Sequence, residues 1–417
     1  MEELRSLAIE AIKKKLVGKR LNYREVFALM DEIANQKLGP ILTTYFAAAG
    51  FQKGFSNEEL YFLTRAMAET GERLHFRGIV ADKHSIGGVV GTRVTMILVP
   101  IIAAAGFKIP KTSSRAITTP SGTADTMEVL APVNFTPRQI EKIVNKIGGC
   151  IVWGGHLGIA PADDVIIQVE EPLAFESFDK IIISIMAKKL ASGSNHIIFD
   201  VPVGPNMKTT HLKDAELIAQ KFYYLARKFK MKIGVEIVET CEPAGQGIGP
   251  VLETLDVLKI LEQRADRPQA LEKKALKLAG SLLDLCLGSS KDKELGGEET
   301  ALKILESGKA LEKMREIVHE QGGDPNFYSE KLKMAENKFE VEATRHGKVT
   351  GVDNKQLSVI GRILGSPEDK KAGIFLARRI GEKIDKGDIL FVIYSSDKWK
   401  IKEARETLKN LPIYKVE

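Results

Sequence analysis

The chain has 417 residues, 44% of them hydrophobic and 28% charged, a balance typical of globular proteins with a full core. Its longest apolar run, residues 96–107, is shorter than the ~20 residues of a membrane-spanning helix, and no signal-peptide core precedes it. Three widely separated cysteines match neither a disulfide framework nor a zinc-binding spacing. We therefore expect a cytoplasmic protein of two or three domains. The net charge of +6 is spread along the chain and suits a phosphate-bearing substrate, while no motif predicts binding to nucleic acid.

The N-terminal part, residues 1–75, is predicted to be helical throughout. Apolar residues spaced by three and four predict helices over 2–17, 23–34, 40–49 and 57–72. The tetrapeptide SNEE at 56–59 is typical of a helix start, because acids are favourable in a first turn. A later stretch, IIISIMAKKLASG at 181–193, has the same helical style.

From residue 76 onward, short β-branched runs alternate with longer helices. Strands are predicted at 79–81, 149–153, 196–203 and 231–239, and this alternation indicates a parallel α/β sheet with crossover helices. Near residue 337 the style changes again: FEVEATRHGKVTGV, LSVIGRILG and GDILFVIYSS are predicted strands of a small α+β or barrel-like unit. The lysine-rich stretch 262–277 is interpreted as a solvated helix face, and GQGIG at 245–249 as a packing turn.

The segment DKHSIGG at 82–88 is interpreted as a strand-to-helix turn that binds an anion. Helix N-termini offer unpaired N–H donors, and Gly87 and Gly88 would let the backbone approach a ligand closely. Lys83 adds a positive charge and Ser85 adds a donor. The alternative is an ordinary polar connection.

A second segment, KTSSRAITTPSGTADTMEVL at 111–130, follows the same logic. Six hydroxyl side chains lie within eleven positions around Arg115, and a helix is predicted to start near Thr123 with Asp125 in its first turn. Helix capping would explain only one or two of the hydroxyls. We expect the two segments to form two walls of a phosphate pocket.

Together, DKHSIGGV and SSRAITTPSGTADTMEVL resemble the paired signatures of the thymidine and pyrimidine nucleoside phosphorylase family, most of all its archaeal-type AMP phosphorylase branch. The resemblance extends through IAPADD, SIMAKKLASGS, FDVPVGP, GQGIGPVLE, GDPNF and KVTGVDN, so it covers nearly the whole chain. It implies an α/β fold of three parts: a small all-helical domain (1–75, completed by 160–192), a larger α/β domain with a mainly parallel sheet (76–159 and 193–336) and a C-terminal α+β domain (337–417). The family's active site lies in the cleft between the first two parts, and most members are dimers formed through the helical domain.

The resemblance also implies the reaction, which is phosphorolysis of an N-glycosidic bond. Inorganic phosphate is the co-substrate and attacks C1′ of the ribosyl group, the base leaves, and neither a cofactor nor a metal is required. The positions that match the family's phosphate ligands are Lys83, Ser85, Thr95, Ser113 and Thr123. For Thr95 alone, the alternative is a helix threonine bonded to its own backbone.

On the base side, Ser184 and Lys188 match a pair that i,i+4 spacing puts on one helix face. His84 could contact the base or the sugar. Glu176 in PLAFES stands where the AMP branch has an aspartate as proton donor, so the acid is kept on a longer arm. The positions that match the branch's nucleotide-binding segments are Gly88, Ser114, Arg115, Ala116, Ile117, Thr118, Thr119 and Lys208.

Two departures from the pyrimidine branch favour AMP, with CMP or UMP as further substrates. Val169-Glu170 stands where thymidine phosphorylases carry an arginine, and TTPSG at 118–122 replaces a Gly-His-Thr-Gly-Gly run. A 5′-phosphate needs cations of its own, and Arg115, Lys208 and Arg93 are candidates.

The AMP branch also carries an extra N-terminal domain linked to large assemblies. This chain starts with the helical domain, so we expect a plain homodimer. The alternatives are a thymidine or pyrimidine nucleoside phosphorylase, a magnesium-dependent enzyme like anthranilate phosphoribosyltransferase, and a silent nucleotide-binding protein.

Overall fold

The computed structural model of the protein describes residues 2–87, 89–116, 119–155, 157–170, 177–288 and 295–417. The helical N-terminal part is confirmed and contains α1 (Glu2–Leu16), α2 (Tyr23–Ala34), α3 (Pro40–Lys53) and α4 (Asn57–Glu69). Capping boxes formed with Asn22 and Ser56 begin α2 and α4, because each side chain accepts the N–H of a glutamate that bonds back to the cap. None of the helices in the described part of the chain is long and apolar enough to cross a membrane.

The middle of the chain alternates strands and helices. Its elements are β1 (Ala81–Ser85), α5 (Val94–Ala104), β2 (Ile109–Ser113), α6 (Thr123–Met127), α7 (Pro137–Ile147), β3 (Gly149–Trp153), α8 (Pro161–Glu170), α9 (Phe178–Ala191), β4 (His196–Val203), α10 (Leu212–Phe229), β5 (Lys232–Glu239), β6 (Gly247–Ile248), α11 (Pro250–Leu261), α12 (Gln269–Leu287), α13 (Gly297–Glu306) and α14 (Lys309–Glu320). Helices α8 and α9 do not cover the sheet but pack against α2, α3 and α4. Their apolar side chains, such as Ile182 and Met186, join Leu29 and Leu63 in one buried cluster.

The central strands are parallel, as predicted. β1 pairs with β4 and β4 with β5, β2 pairs with β3, and a parallel bridge between Val80 and Lys108 joins the two sets. The resulting order is β3-β2-β1-β4-β5, so the chain runs to one side of β1 first and later returns on the other side. In open α/β sheets, ligands bind at the carboxyl ends of the strands beside such a reversal.

The first strand lies later in the chain than predicted. The sequence places a strand at 79–81 and a turn from Asp82, whereas the strand is Ala81–Ser85, in register with residues 196–200 of β4. The apolar pattern misses this because the charged side chains of Asp82 and Lys83 are buried in ion pairs within the fold. The start of the second polar segment is likewise strand, since β2 continues to Ser113.

The C-terminal part contains β7 (Asn337–Glu342), β8 (Gly347–Val352), α15 (Asn354–Ile363), β9 (Gly373–Leu376), β10 (Lys383–Ile384), β11 (Ile389–Ser395), α16 (Lys398–Leu408) and β12 (Tyr414–Val416). The prediction of a strand at LSVIGRILG is wrong. Asp353 caps this segment as α15, and Leu357, Ile360 and Leu364 have the spacing of a buried helix face. The strand order β6-β9-β11-β7 shows that β6 of the middle part joins this sheet.

The GQGIG segment is a packing turn, as interpreted from the sequence. The backbone N–H groups of Gln246 and Gly247 donate to the buried Asp256 carboxylate at 2.6 and 2.8 Å. A Cβ on Gly245 would lie 2.4 Å from the carbonyl oxygen of Gly91, so only glycine permits this contact.

Candidate active site

A chain of polar contacts lies at the carboxyl end of β1. The Lys83 ammonium contacts the Ser85 hydroxyl, which donates to Oδ2 of Asp200 at 2.7 Å. Lys83 Nζ is 3.9 Å from the same oxygen, and Nζ of Lys274 on α12 is 3.2 Å from Oδ1. Lys274 belongs to the stretch interpreted as a solvated face, yet its side chain is only 14% exposed, so that interpretation is wrong for this residue.

Two lysines thus share one carboxylate in a buried place. Burial lowers the pKa of Lys83 to about 8, with Asp200 raising it and Lys274 lowering it further. Burial alone would raise the pKa of Asp200, but Lys83 and Lys274 hold it below its ordinary value. At neutral pH the three groups therefore carry one surplus positive charge.

A second cluster of two lysines and one carboxylate surrounds Asp82, the residue before Lys83 on β1. Asp82 is fully buried, and its carboxylate is 2.7 Å from Nζ of Lys189 on α9 and 3.6 Å from Nζ of Lys111 on β2. Burial lowers the pKa of Lys111 to about 7, and the Lys189 charge lowers it as well. These residues were not singled out from the sequence, although charged side chains inside the predicted α/β sheet are a signal that could have identified them.

His84 follows Lys83 on β1, and charges of both clusters act on its ring. Burial, followed by the charges of Lys189, Lys111 and Lys83, lowers its pKa well below the ordinary value, so the imidazole is neutral at neutral pH. Within the described part of the chain its ring makes no hydrogen bond. The ring nitrogens can therefore contact a substrate.

The predicted phosphate-binding hydroxyls of Thr95, Ser113 and Thr123 have no hydrogen-bond partner among the described residues. Thr123 does not cap its helix, because Gly122 is the N-cap of α6. Thr95 does not bond to the backbone of its own helix, which was the alternative to a role in phosphate binding. Ser113 ends β2 and Thr123 begins α6, and the two segments are joined by the Ala124 N–H, which donates to the Ser114 carbonyl oxygen at 3.2 Å. The three hydroxyls are thus available to a ligand.

Arg115 is used within the protein. Its guanidinium makes a bidentate contact with Glu128 at 2.7 and 2.8 Å, reaches Asp125 at 3.0 Å and lies over the Trp153 ring. Lys370 binds Glu128 at 2.6 Å, and Arg115 followed by Lys370 lowers the pKa of Glu128 to about 2. Arg115 is therefore already paired with carboxylates, and its role as a cation for the 5′-phosphate stays a prediction.

Arg93, another candidate cation for the 5′-phosphate, is paired as well. Its guanidinium contacts the buried Glu253 carboxylate and the carbonyl oxygen of Ser121.

Lys208 is exposed and lies beside the glycine turn, since its Cβ would be 3.5 Å from a Cβ placed on Gly87. Gly87 has φ +107°, a conformation that other residues rarely adopt.

The prediction that Ser184 and Lys188 share a helix face is confirmed. Ser184 Oγ donates to Oδ2 of Asp163 at 2.7 Å, and Lys188 Nζ lies 2.6 Å from the same oxygen. Burial lowers the pKa of Lys188, but Asp163 outweighs it and the net shift is upward. Asp163, the first aspartate of IAPADD, orients both side chains and was not singled out from the sequence.

Four of the predicted site residues, Gly88, Ile117, Thr118 and Glu176, lie outside the described residues. Their roles stay predictions. Among the residues that are described, no group of three histidine, cysteine or carboxylate side chains is placed to hold a metal ion.

Three family descriptions match the chain. They are "Glycosyl transferase family, helical bundle domain" at residues 9–71, "Glycosyl transferase family, a/b domain" at 77–311 and "Pyrimidine nucleoside phosphorylase C-terminal domain" at 348–414. Among solved structures, anthranilate phosphoribosyltransferase from Thermus thermophilus superposes with a TM-score of 0.60 at 17% identity, over 75% of this chain and 99% of that one. At that identity the likeness shows the fold alone.

Curated relatives match nearly the whole chain. The AMP phosphorylase of Thermofilum pendens is 43% identical over 97% of this chain and 77% of its own length. AMP phosphorylase 1 of Archaeoglobus fulgidus is 41% identical over 96% of this chain and 78% of its own length. The chain therefore belongs to the glycosyl transferase enzymes of the pyrimidine nucleoside phosphorylase family, among which the AMP phosphorylases are its relatives.

Proposed function

We propose that the protein catalyses phosphorolysis of a nucleoside 5′-monophosphate, AMP first, and gives free base and ribose 1,5-bisphosphate. Relatives named AMP phosphorylase, 39% to 43% identical, support the substrate. The observation that carries the proposal is the surplus positive charge at the end of β1, where Lys83 and Lys274 share Asp200. A buried site of this kind suits a phosphate dianion at the strand-order reversal.

On the phosphate side, the protein aligns the nucleophile. Lys83 supplies a charge from β1 and is held there by the Ser85 hydroxyl, whose hydrogen goes to Asp200. The open hydroxyls of Thr95, Ser113 and Thr123 are proposed to donate to the same phosphate. Holding phosphate in line with C1′ removes much of the entropic cost of the encounter. Because the sugar passes through an oxocarbenium-like state, fixed charges that match it lower the barrier.

On the base side, Asp163 holds Ser184 and Lys188 next to each other, because both contact one of its carboxylate oxygens. The neutral His84 ring contacts the base or sugar without adding another charge. Glu176 is the proposed proton donor to the leaving base, and a carboxylic acid in that role needs a pKa raised toward neutrality. The main chain of 114–119 and Lys208 beside the glycine turn are proposed to hold the nucleotide, whose 5′-phosphate would meet Lys208.

A pyrimidine nucleoside phosphorylase is the second candidate. One observation favours it: Arg115 and Arg93 are both paired with carboxylates, so two of the three cations expected to bind a 5′-phosphate are otherwise engaged. Such an enzyme would give ribose 1-phosphate or its deoxy form.

One assay separates the candidates. The protein is incubated with AMP, CMP, UMP, adenosine, uridine or thymidine, with and without inorganic phosphate, and base release is measured. We expect the fastest release from AMP, and only with phosphate. Faster turnover of uridine or thymidine would establish the second candidate, and equal release without phosphate would mean hydrolysis.

We also propose a homodimer formed through α1–α4, α8 and α9. Ile41 and Tyr45 of α3 are 73% and 54% exposed and lie one turn apart, so they give this part an apolar surface. Sedimentation should give twice the 46.0 kDa chain mass, and Ile41→Glu should weaken the assembly. The matched control is Leu217→Glu on α10, at an exposed leucine outside these helices. A monomer, or an assembly sensitive only to the control, would contradict the proposal.

A further inference from the structure

We propose that Asp200 and Lys274 are positioning residues of the phosphate pocket: Asp200 orients Ser85 and Lys83, and Lys274 supplies the charge that makes a carboxylate tolerable beside a bound anion. The inference rests on the proposed function in one respect, which is that the anion is phosphate. It assigns a role to a lysine that the sequence pattern had placed on a solvated surface.

Asp200 is held to the phosphate strand by backbone and side chain alike. It stands opposite Ser85 in the β1–β4 register, and its carbonyl oxygen accepts the Ile86 N–H at 2.8 Å. Its carboxylate then accepts the Ser85 hydroxyl at 2.7 Å. This double attachment fixes the Ser85 oxygen at the place where β1 ends and the glycine turn begins.

The charges explain why a second lysine is needed. Asp200 is 2% exposed, so its negative charge is little screened by water and would repel a phosphate bound at Lys83. Lys83 alone would only cancel it. Lys274, reaching over from α12 to the other carboxylate oxygen, restores a net charge of one positive unit.

Other charged groups also face Lys83, but they contact carboxylates other than Asp200. Arg93, before α5, is paired with Glu253. Lys189 on α9 is paired with Asp82, beside which Lys111 of β2 also lies. Lys274 is therefore the charge that can be removed while these pairs stay intact.

The two residues act on Lys83 in opposite directions. Asp200 raises the pKa of Lys83, and Lys274 lowers it. Asp200→Asn should therefore lower the pKa of Lys83 from its value of about 8, whereas Lys274→Met should raise it. If Asp200 and Lys274 only supported the fold, their substitutions would not shift the pKa of Lys83 in opposite directions.

The test measures binding of inorganic phosphate by calorimetry, without nucleotide, over a pH series around the Lys83 pKa of about 8. The matched control is Lys277→Met, one turn further along α12, whose side chain is 53% exposed and pairs with Glu236. At neutral pH, Lys274→Met should weaken phosphate binding roughly tenfold, as expected for losing one partly buried charge. Lys277→Met should leave it unchanged.

The midpoint at which phosphate binding is lost should move to higher pH in Lys274→Met and to lower pH in Asp200→Asn. Thermal unfolding checks that each variant is folded. If Asp200→Asn is not folded, the comparison of Lys274→Met with Lys277→Met tests the inference. Equal phosphate affinity and midpoint in Lys274→Met and Lys277→Met would overturn the inference. Because no nucleotide is present, a protein that binds phosphate as described but releases no base would remove the proposed function and leave this inference standing.

Discussion

The two polar segments, 82–88 and 111–130, look alike in sequence, but their cations have different surroundings. At the end of β1, Lys83 shares Asp200 with a second lysine. After β2, Arg115 meets two carboxylates, those of Glu128 and Asp125. Each segment has a cation, at least one hydroxyl side chain and a following helix, and the two cations differ in the number of carboxylates near them.

The difference shows how to tell a ligand-binding cation from a structural one. The side chains around Arg115 have a net charge of zero, since Arg115 and Lys370 face Glu128 and Asp125. The Lys83 group keeps one positive charge, and in a buried place that charge attracts an anion strongly. This difference supports the proposal that the first segment binds phosphate through its charge, whereas the second contributes its hydroxyls and main chain.

The largest expected effect comes from removing the first cation. Lys83→Ala should lower kcat/KM for phosphate by roughly 10²–10³-fold, about 3–4 kcal/mol of lost transition-state stabilisation. Steady-state rates with AMP and varied phosphate measure it. Arg115→Ala is the matched control and should lose far less activity at a temperature where it stays folded. Equal losses of kcat/KM in the two variants would show that Lys83 and Arg115 do not differ in their contribution to phosphate binding.

The pH dependence of kcat/KM for phosphate should show the same difference between Lys83 and Arg115. Protonated Lys83 binds phosphate, so kcat/KM for phosphate should be high below the Lys83 pKa of about 8 and fall as the pH rises through it. Bound phosphate stabilises the ammonium, so kcat should decline only at higher pH. Arg115 stays charged throughout and adds no step. A flat kcat/KM profile through pH 8 would show that Lys83 does not govern phosphate binding.

Two threonines of the second segment test its contribution through hydroxyls. Thr123, whose hydroxyl has no partner in the described chain, should bind phosphate, and Thr123→Val should raise the KM for phosphate by roughly tenfold, the worth of one charge-assisted hydrogen bond. Thr119 already donates to the Ser121 carbonyl oxygen at 2.9 Å, so Thr119→Val should leave that KM near its original value. The reverse ranking would place the pocket elsewhere along the segment.

The smallest effect should be on stability. Arg115→Met leaves Glu128 and Asp125 without their main partner and should lower the free energy of unfolding by about 1 kcal/mol. The loss is small because Arg115 and Glu128 are partly exposed, and the buried Asp125 keeps the N–H donors of Ala116 and Gly122. Denaturant melts measure the change. Adding Glu128→Leu should restore part of it, since the surplus negative charge left by Arg115→Met is removed. If Arg115→Met instead raised the KM for AMP selectively, with stability unchanged, the arginine would be a nucleotide ligand after all.

Some features were readable from local sequence because they depend on neighbours in the chain. The four N-terminal helices follow from apolar spacing and from caps such as Ser56. The shared face of Ser184 and Lys188 follows from helix geometry. LSVIGRILG was misread because a short apolar run fits either a strand or a helix, and the Asp353 cap decides it.

By itself, the sequence determined the helical start, the parallel α/β middle and the residue types that a phosphate pocket needs. Only the tertiary structure decided which of those residues keep an unbalanced charge. Asp200 and Lys274 are far apart in the chain and meet only because β4 and α12 pack together. Whether a cation is neutralised depends on such distant carboxylates, since electrostatic interactions act through space and no local pattern records them.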